Sequence, residues 1–142
     1  MLDQAQDLLG ATAAKRILVV EDEKDIADLV AVNLRQSGYE SLDAASAEDA
    51  LRILKLHKID LLVLDVLLPQ MNGFELCAQL KARPATSHIP IIVISALSAE
   101  SERLRALNLG AEDYLVKPFS VRELVARAHF CAERTGIKMP IS

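Results

Sequence analysis

Five polar residues stand where apolar runs stop. Glu21 and Asp22 follow Arg16-Ile17-Leu18-Val19-Val20, and Asp65 closes Leu61-Leu62-Val63-Leu64. Ser95 follows Ile91-Ile92-Val93-Ile94, and Lys117 follows Asp113-Tyr114-Leu115-Val116. A carboxylate at the end of so apolar a run costs several kcal/mol unless it is paired, so Asp65 needs partners. If the runs are parallel strands, their carboxyl ends share one sheet edge, and ligands bind in the crevice there. Glu21, Asp22 and Lys117 then become the neighbours of Asp65. Three crowded carboxylates repel, and one ammonium does not neutralise them. A hard divalent cation would: Mg²⁺, with Mn²⁺ the alternative, takes one or two carboxylates and keeps room for waters and a phosphate oxygen. Such a set suits phosphoryl transfer to a carboxylate, with the metal and Lys117 absorbing charge on the equatorial oxygens. Ser95 would hydrogen-bond a phosphate oxygen.

The elements that must position these groups follow from periodicity. After the strand at 16–20, Ile26, Leu29, Val30, Asn33 and Leu34 recur at helical spacing, and Gly38 stops that helix. Residues 39–45 read as a strand. Ser46, with Asp49 three residues on, resembles a capping box opening a helix over 47–57. A strand at 60–65 leads through Pro69, Asn72 and Gly73 to a helix ending near Arg83. Residues 84–88 are a loop and 89–95 a strand. Ser98 is expected to cap a helix ending at Leu109-Gly110. A fifth strand at 113–117 precedes a last helix from Ser120 to about Glu133. Strands that read as continuous apolar runs are buried on both faces, which makes the fold class α/β, a doubly wound five-stranded parallel sheet.

The chain has 142 residues, 51% of them hydrophobic and 25% charged, enough for one domain with an unstapled core. Aromatics are 4%, so aliphatic side chains must fill that core. A net charge of −4 offers no electrostatic footprint for nucleic acid, so no direct contact with it is expected. No membrane is expected either, since no stretch approaches the ~20 uninterrupted apolar residues of a span. Residues 1–7 lack the basic region of a signal peptide. Cys77 and Cys131 lack metal or redox spacing and read as free thiols of a reducing cytosol. His57, His88 and His129 have no ligand-spaced partners and read as surface or capping residues. Glu23 reads as a helix N-terminal acid favoured by the dipole, without a part in the cluster.

The sequence resembles the receiver domain of two-component response regulators. The likeness rests on Ile17-Leu18-Val19-Val20-Glu21-Asp22-Glu23, Leu64-Asp65-Val66-Leu67-Leu68-Pro69 with Met71-Asn72-Gly73, Ile94-Ser95-Ala96, and Gly110 to Phe119 with its Lys117-Pro118. It covers residues 15–134, which leaves an N-terminal extension at 1–14, frayed or a short extra helix, and a tail or linker stub at 135–142. The resemblance implies a (βα)5 flavodoxin-like fold with strand order 2-1-3-4-5. It implies that Asp65 is the phosphoacceptor and that Glu21, Asp22, Asp65 and the Leu67 carbonyl hold Mg²⁺. Lys117 would contact the phosphoryl group before a cis Lys-Pro bond. Ser95 would be the switch hydroxyl, with small Ala96 leaving room and Tyr114 the coupled aromatic. The implied partner is a sensor histidine kinase or histidine phosphotransfer protein, in the cytoplasm.

The last two helices resemble the OmpR/PhoB-type winged-helix subfamily. That likeness implies a phosphorylation-dependent homodimer with Arg103–Glu123 and Asp113–Arg127 pairs across a two-fold, although Asn108 and His129 depart from the pattern. A haloacid-dehalogenase-type phosphatase would need an Asp where Leu67 stands. A flavodoxin-like cofactor binder would need a phosphate-cradling loop where Glu21-Asp22-Glu23 stands. A phosphorylation-independent receiver-like scaffold is the remaining alternative to a phosphorylation-switched signalling module that is not itself an enzyme. Leu67 and Leu97 are expected to tune phosphoryl lifetime through water access.

Overall fold

A computed structural model describes residues 14–69 and 71–135; the expected extension at 1–13 and tail at 136–142 lie outside the described residues. Five strands alternate with five helices: β1 (Arg16–Val20), α1 (Lys24–Gln36), β2 (Glu40–Ala44), α2 (Ala47–Leu56), β3 (Leu61–Asp65), α3 (Gly73–Ala82), β4 (Ile91–Ser95), α4 (Glu100–Asn108), β5 (Asp113–Val116) and α5 (Val121–Thr135). All strand pairs are parallel, in the order β2-β1-β3-β4-β5. The doubly wound sheet expected from the sequence is the one observed, strand order included.

Alternation along the central strands divides the core. Leu18, Val20, Leu62, Leu64, Ile91 and Val93 face α2, α3 and α4. Ile17, Val19, Leu61, Val63, Ile92 and Ile94 face α1 and α5. Each strand thus fills both layers, which is why β1, β3 and β4 carry apolar residues at consecutive positions. Cys77 lies in the first layer and Cys131 in the second, both buried. Among the described residues no helix is long and apolar enough to cross a membrane.

Several boundaries differ from the sequence reading. The edge strand β2 is no continuous apolar run: Glu40 and Asp43 face solvent while Ser41 and Ala44 are buried. β4 begins at Ile91 because Pro90 has no N–H for the ladder, and the Ile89 N–H is taken by the Thr86 carbonyl at 3.0 Å. Ser98 does not cap α4. Ala99 holds that position without a side-chain bond, and Glu100 and Glu102 meet the positive helix end instead. The helix expected to close near Glu133 runs to Thr135. Two caps stand as expected or better: Ser46 Oγ accepts the Asp49 N–H at 3.1 Å, and Asn72 Oδ1 accepts the Phe74 N–H at 2.7 Å. Gly38 ends α1 at φ +97°, a conformation side chains rarely adopt.

Gly73 has another reason to be glycine. A Cβ there would sit 2.3 Å from Val66 Cα and 2.8 Å from the Asp65 carbonyl oxygen. The Gly73 N–H meanwhile donates to the Val66 carbonyl at 2.8 Å. The first turn of α3 is thus pressed against the residue that follows Asp65. Gly→Ala in a helix ordinarily stabilises by about 0.5–1 kcal/mol. Gly73→Ala is expected to reverse that sign and destabilise by about 1–3 kcal/mol, as overpacking does. Urea unfolding of the two proteins checks it, and a stabilised variant would refute the contact.

Candidate functional site

β1 and β3 are neighbours, and the crossover to β2 leaves to one side while those to β4 and β5 leave to the other. Their carboxyl ends form the crevice at which open α/β sheets bind ligands. Glu21 continues β1, its N–H donating to the Ala44 carbonyl at 2.9 Å. Asp65 ends β3, and Ser95 ends β4. Lys117 follows β5, its N–H donating to the Ser95 carbonyl at 2.7 Å. Four strand ends therefore fix the groups that the sequence singles out.

The Lys117 ammonium is the hub. Its Nζ lies 2.8 Å from Asp65 Oδ2, 2.8 Å from Glu21 Oε1 and 2.9 Å from Glu23 Oε1. Burial disfavours its charge, yet the contacts with Asp65, Glu21 and Glu23 outweigh this and hold it above the ordinary lysine range. The other Asp65 oxygen, Oδ1, accepts the Leu67 N–H at 2.9 Å. Both oxygens of this buried carboxylate are thus engaged, and these two contacts offset its burial. The Lys117-Pro118 bond is cis, and a cavity of about 350 Å³ opens beside Lys117, lined by Glu23, Ile26, Pro118 and Phe119.

Glu21 is more poorly served. Oε2 accepts the Glu23 N–H at 3.1 Å, while the Lys117 contact at Oε1 lacks hydrogen-bond angles and leaves that buried oxygen without a donor. Burial pushes the Glu21 carboxyl up to about 7, and the nearby Asp65 charge adds to this, against the pull of Lys117 and the Glu23 N–H. Oxygens of Glu21, Asp22 and Asp65 all lie within 4.8 Å of one another. An all-oxygen set with one donorless buried oxygen fits a hard divalent cation.

Ser95 and Tyr114 both meet Leu97. Ser95 Oγ accepts the Leu97 N–H at 3.0 Å, and the Tyr114 hydroxyl donates to the Leu97 carbonyl at 2.7 Å. Burial raises the Tyr114 phenol above its usual range. From the sequence, Leu97 reads only as a side chain near the site, since a backbone bridge leaves no mark on residue type. The part of Glu23, which touches Lys117 directly, is likewise not legible there, because an acid at a helix start has an ordinary explanation. His129 is no idle surface residue: its Nδ1 lies 2.6 Å from the Tyr39 hydroxyl. Leu67 contributes its N–H to Asp65, and its side chain is half exposed.

The residues assigned to a dimer surface find partners within the chain. Arg127 pairs with Asp113 and, at 3.3 Å, with Glu123. Arg103 reaches Glu100 at 2.7 Å. The Asp113–Arg127 contact read as crossing a two-fold is therefore made inside one chain.

The model of the response regulator receiver domain family matches residues 17–129. The chain is 42% identical over 128 residues to the alkaline phosphatase synthesis transcriptional regulatory protein PhoP of Bacillus subtilis, covering 90% of this chain and 52% of that protein. It is 43% identical over 122 residues to the phosphate regulon transcriptional regulatory protein PhoB of Pseudomonas aeruginosa, covering 86% and 53%. The chain thus spans about half the length of these curated relatives. Among solved structures, the receiver domain of a Francisella response regulator superposes with a TM-score of 0.80 at 30% identity, over 85% of this chain and 98% of that one. A response regulator from Chloroflexus aurantiacus gives 0.80 at 36%, over 85% and 99%.

The Glu21 shift carries a stability consequence for the metal-free protein. Its folded-state value, about 7, lies above that of an unfolded carboxyl, so the folded chain holds the proton more tightly. The contribution is fully present below the unfolded value and is lost as pH rises towards 7, by at most about 1.4 kcal/mol per pH unit. Glu21→Gln should flatten that fall between pH 4.5 and 7 in chelator-treated buffer, read by denaturant midpoints. Parallel curves for the two proteins would remove Glu21 as the source.

Proposed function

The chain belongs to the response regulator receiver domain family, and from that premise we propose that Asp65 accepts a phosphoryl group from a phosphohistidine. The observation that supports this reading is the Asp65 carboxylate, buried at a sheet edge, held between Lys117 and the Leu67 N–H, and facing Glu21 and Asp22. An Asp65 oxygen attacks phosphorus, an O–P bond forms, and the N–P bond to the donor imidazole breaks. Glu21, Asp22, Asp65 and the Leu67 carbonyl would hold Mg²⁺, which when bound neutralises charge on the phosphoryl oxygens. Lys117 shields Asp65 before transfer and then takes a phosphoryl oxygen as its partner.

The switch follows from hydrogen bonds already present. A phosphoryl group adds acceptor oxygens and negative charge beside Ser95. Turning the Ser95 hydroxyl towards them removes the acceptor of the Leu97 N–H. The Tyr114 hydroxyl is anchored on the carbonyl of that same residue. A change at Ser95 is therefore felt at Tyr114, and so on the surface of α4, β5 and α5. The domain is a regulatory module rather than a turnover enzyme, promoting only its own phosphorylation and dephosphorylation. The donor is a sensor histidine kinase or histidine phosphotransfer protein in the cytoplasm. By likeness to transcriptional regulators such as PhoP and PhoB, the output is control of transcription through a partner or output domain, with a phosphorylation-dependent homodimer as its form.

Incubation with acetyl phosphate and Mg²⁺, followed by intact mass, is expected to add one phosphoryl group to the native protein. The gain should vanish in Asp65→Ala and on metal chelation. A folded native protein that gains nothing would favour the phosphorylation-independent scaffold. Polar substitution at Leu67 or Leu97, where side chains border the site, is expected to change the rate at which the added mass decays. Unchanged decay in both variants would end their assignment as water gates.

A further inference from the structure

A second concave feature lies away from the acidic crevice, between α1 and α5. This cavity of about 390 Å³ is lined by Asn33, Gln36 and Ser37 on one side and by Arg122, Val125 and His129 on the other. Leu29 stands one and two turns before Asn33 and Gln36 on the same face of α1 and is 52% exposed. The groove is braced from beneath. The Tyr39 hydroxyl meets His129 Nδ1 at 2.6 Å and donates to Glu133 Oε2 at 3.3 Å, and the Tyr39 and His129 rings pack edge-on.

We propose that this groove is the docking site of the chain's own residues 1–13. Charge is the first argument. Among the described residues no carboxylate lines the groove, and none is an ion-pair partner of Arg122. The nearest acids on α5 are engaged, Glu123 with Arg127 and Glu133 with Tyr39. Residues 1–13 carry Asp3 and Asp7 and no basic side chain. Apolar complementarity is the second. Leu2, Leu8 and Leu9 match a groove whose polar rim surrounds Val125 and Ala126.

The tether is the third argument. Lys15 Nζ donates to the Ala132 carbonyl at 2.7 Å, so the chain enters β1 beside the last turns of α5. From Ala132 back to Val125 is about 10 Å along the helix, and back to Arg122 about 15 Å. At up to ~3.3 Å per extended residue, three to five residues cover those spans. The length of residues 1–13 is thus enough to span the groove from Val125 to Arg122. A segment tethered so near its site acts at an effective concentration in the millimolar range, so weak contacts suffice.

The test compares ¹⁵N–¹H spectra of the full chain with those of a D3N/D7N/L8S/L9S variant and of R122E. Docking predicts amide shift changes at Asn33, Gln36, Val125 and Ala126 in both variants. It also predicts that a peptide of residues 1–14, titrated into the quadruple variant, moves those amides back. Spectra of the α1 and α5 faces that match the native ones in both variants would overturn the proposal. So would shifts that disappear on dilution while sedimentation shows a dimer dissociating, since a second copy would then fill the groove. A return of the amides with a scrambled peptide of the same composition would equally overturn it, by showing that the groove does not read this segment.

Discussion

One ammonium among three carboxylates sets the terms for the rest of the molecule. Lys117 lies within 2.9 Å of Glu21, Glu23 and Asp65, and no rearrangement of four such groups leaves the buried ones neutralised. Removing either partner of a buried pair strands the other charge. The cluster nonetheless remains short of positive charge, three carboxylates against one ammonium, and burial holds the Glu21 carboxyl above its ordinary range. A structural ion pair would be closed and balanced. This one is left with a deficit of positive charge.

Holding that deficit in place is the task of the sheet. The members of the cluster come from the ends of three strands, Glu21 and Glu23 after β1, Asp65 on β3 and Lys117 after β5, so the spacing between the three ends is fixed by the parallel ladder of β1, β3, β4 and β5 rather than by local sequence. The central strands are buried on both faces, which leaves their ends no freedom to drift apart without exposing apolar core. The first turn of α3 adds a brace from behind, seated on Val66 so closely that only a glycine fits. Rigidity in the frame is what makes an unbalanced charge cluster tolerable.

What could be read from the sequence follows the same division. Strand ends were legible because a polar residue closing an apolar run is conspicuous at Asp65, Ser95 and Lys117. The parallel sheet was legible because double burial forces unbroken apolar runs at β1, β3 and β4. The edge strand β2 escaped that rule, being covered on fewer sides, and it mixes exposed Glu40 and Asp43 with buried Ser41 and Ala44. Backbone-mediated features stayed invisible: the Leu97 bridge between Ser95 and Tyr114 depends on an N–H and a carbonyl that every residue but proline possesses. Glu23 stayed hidden for a different reason. Its residue type suits a helix start, and only the fold reveals that Lys117 lies within reach.

The α4, β5 and α5 surface shows how little an ion-pair inventory says about assembly. Asp113 and Arg127 already satisfy each other inside one chain, and Arg103 is taken by Glu100. A two-fold dimer through this face would exchange internal pairs for equivalent external ones, and exposed pairs contribute little in either setting. The net gain must then come from elsewhere on the surface. Leu104 on α4, Val116 on β5 and Phe130 on α5 are large apolar side chains left exposed on these elements, and their burial scales with area rather than with charge matching. The charged residues, on this account, select orientation and partner, because a mismatched pairing would leave charges opposed. Tyr114, buried in β5 two residues before Val116, ties that strand through its hydroxyl to the Leu97 carbonyl, two residues after Ser95.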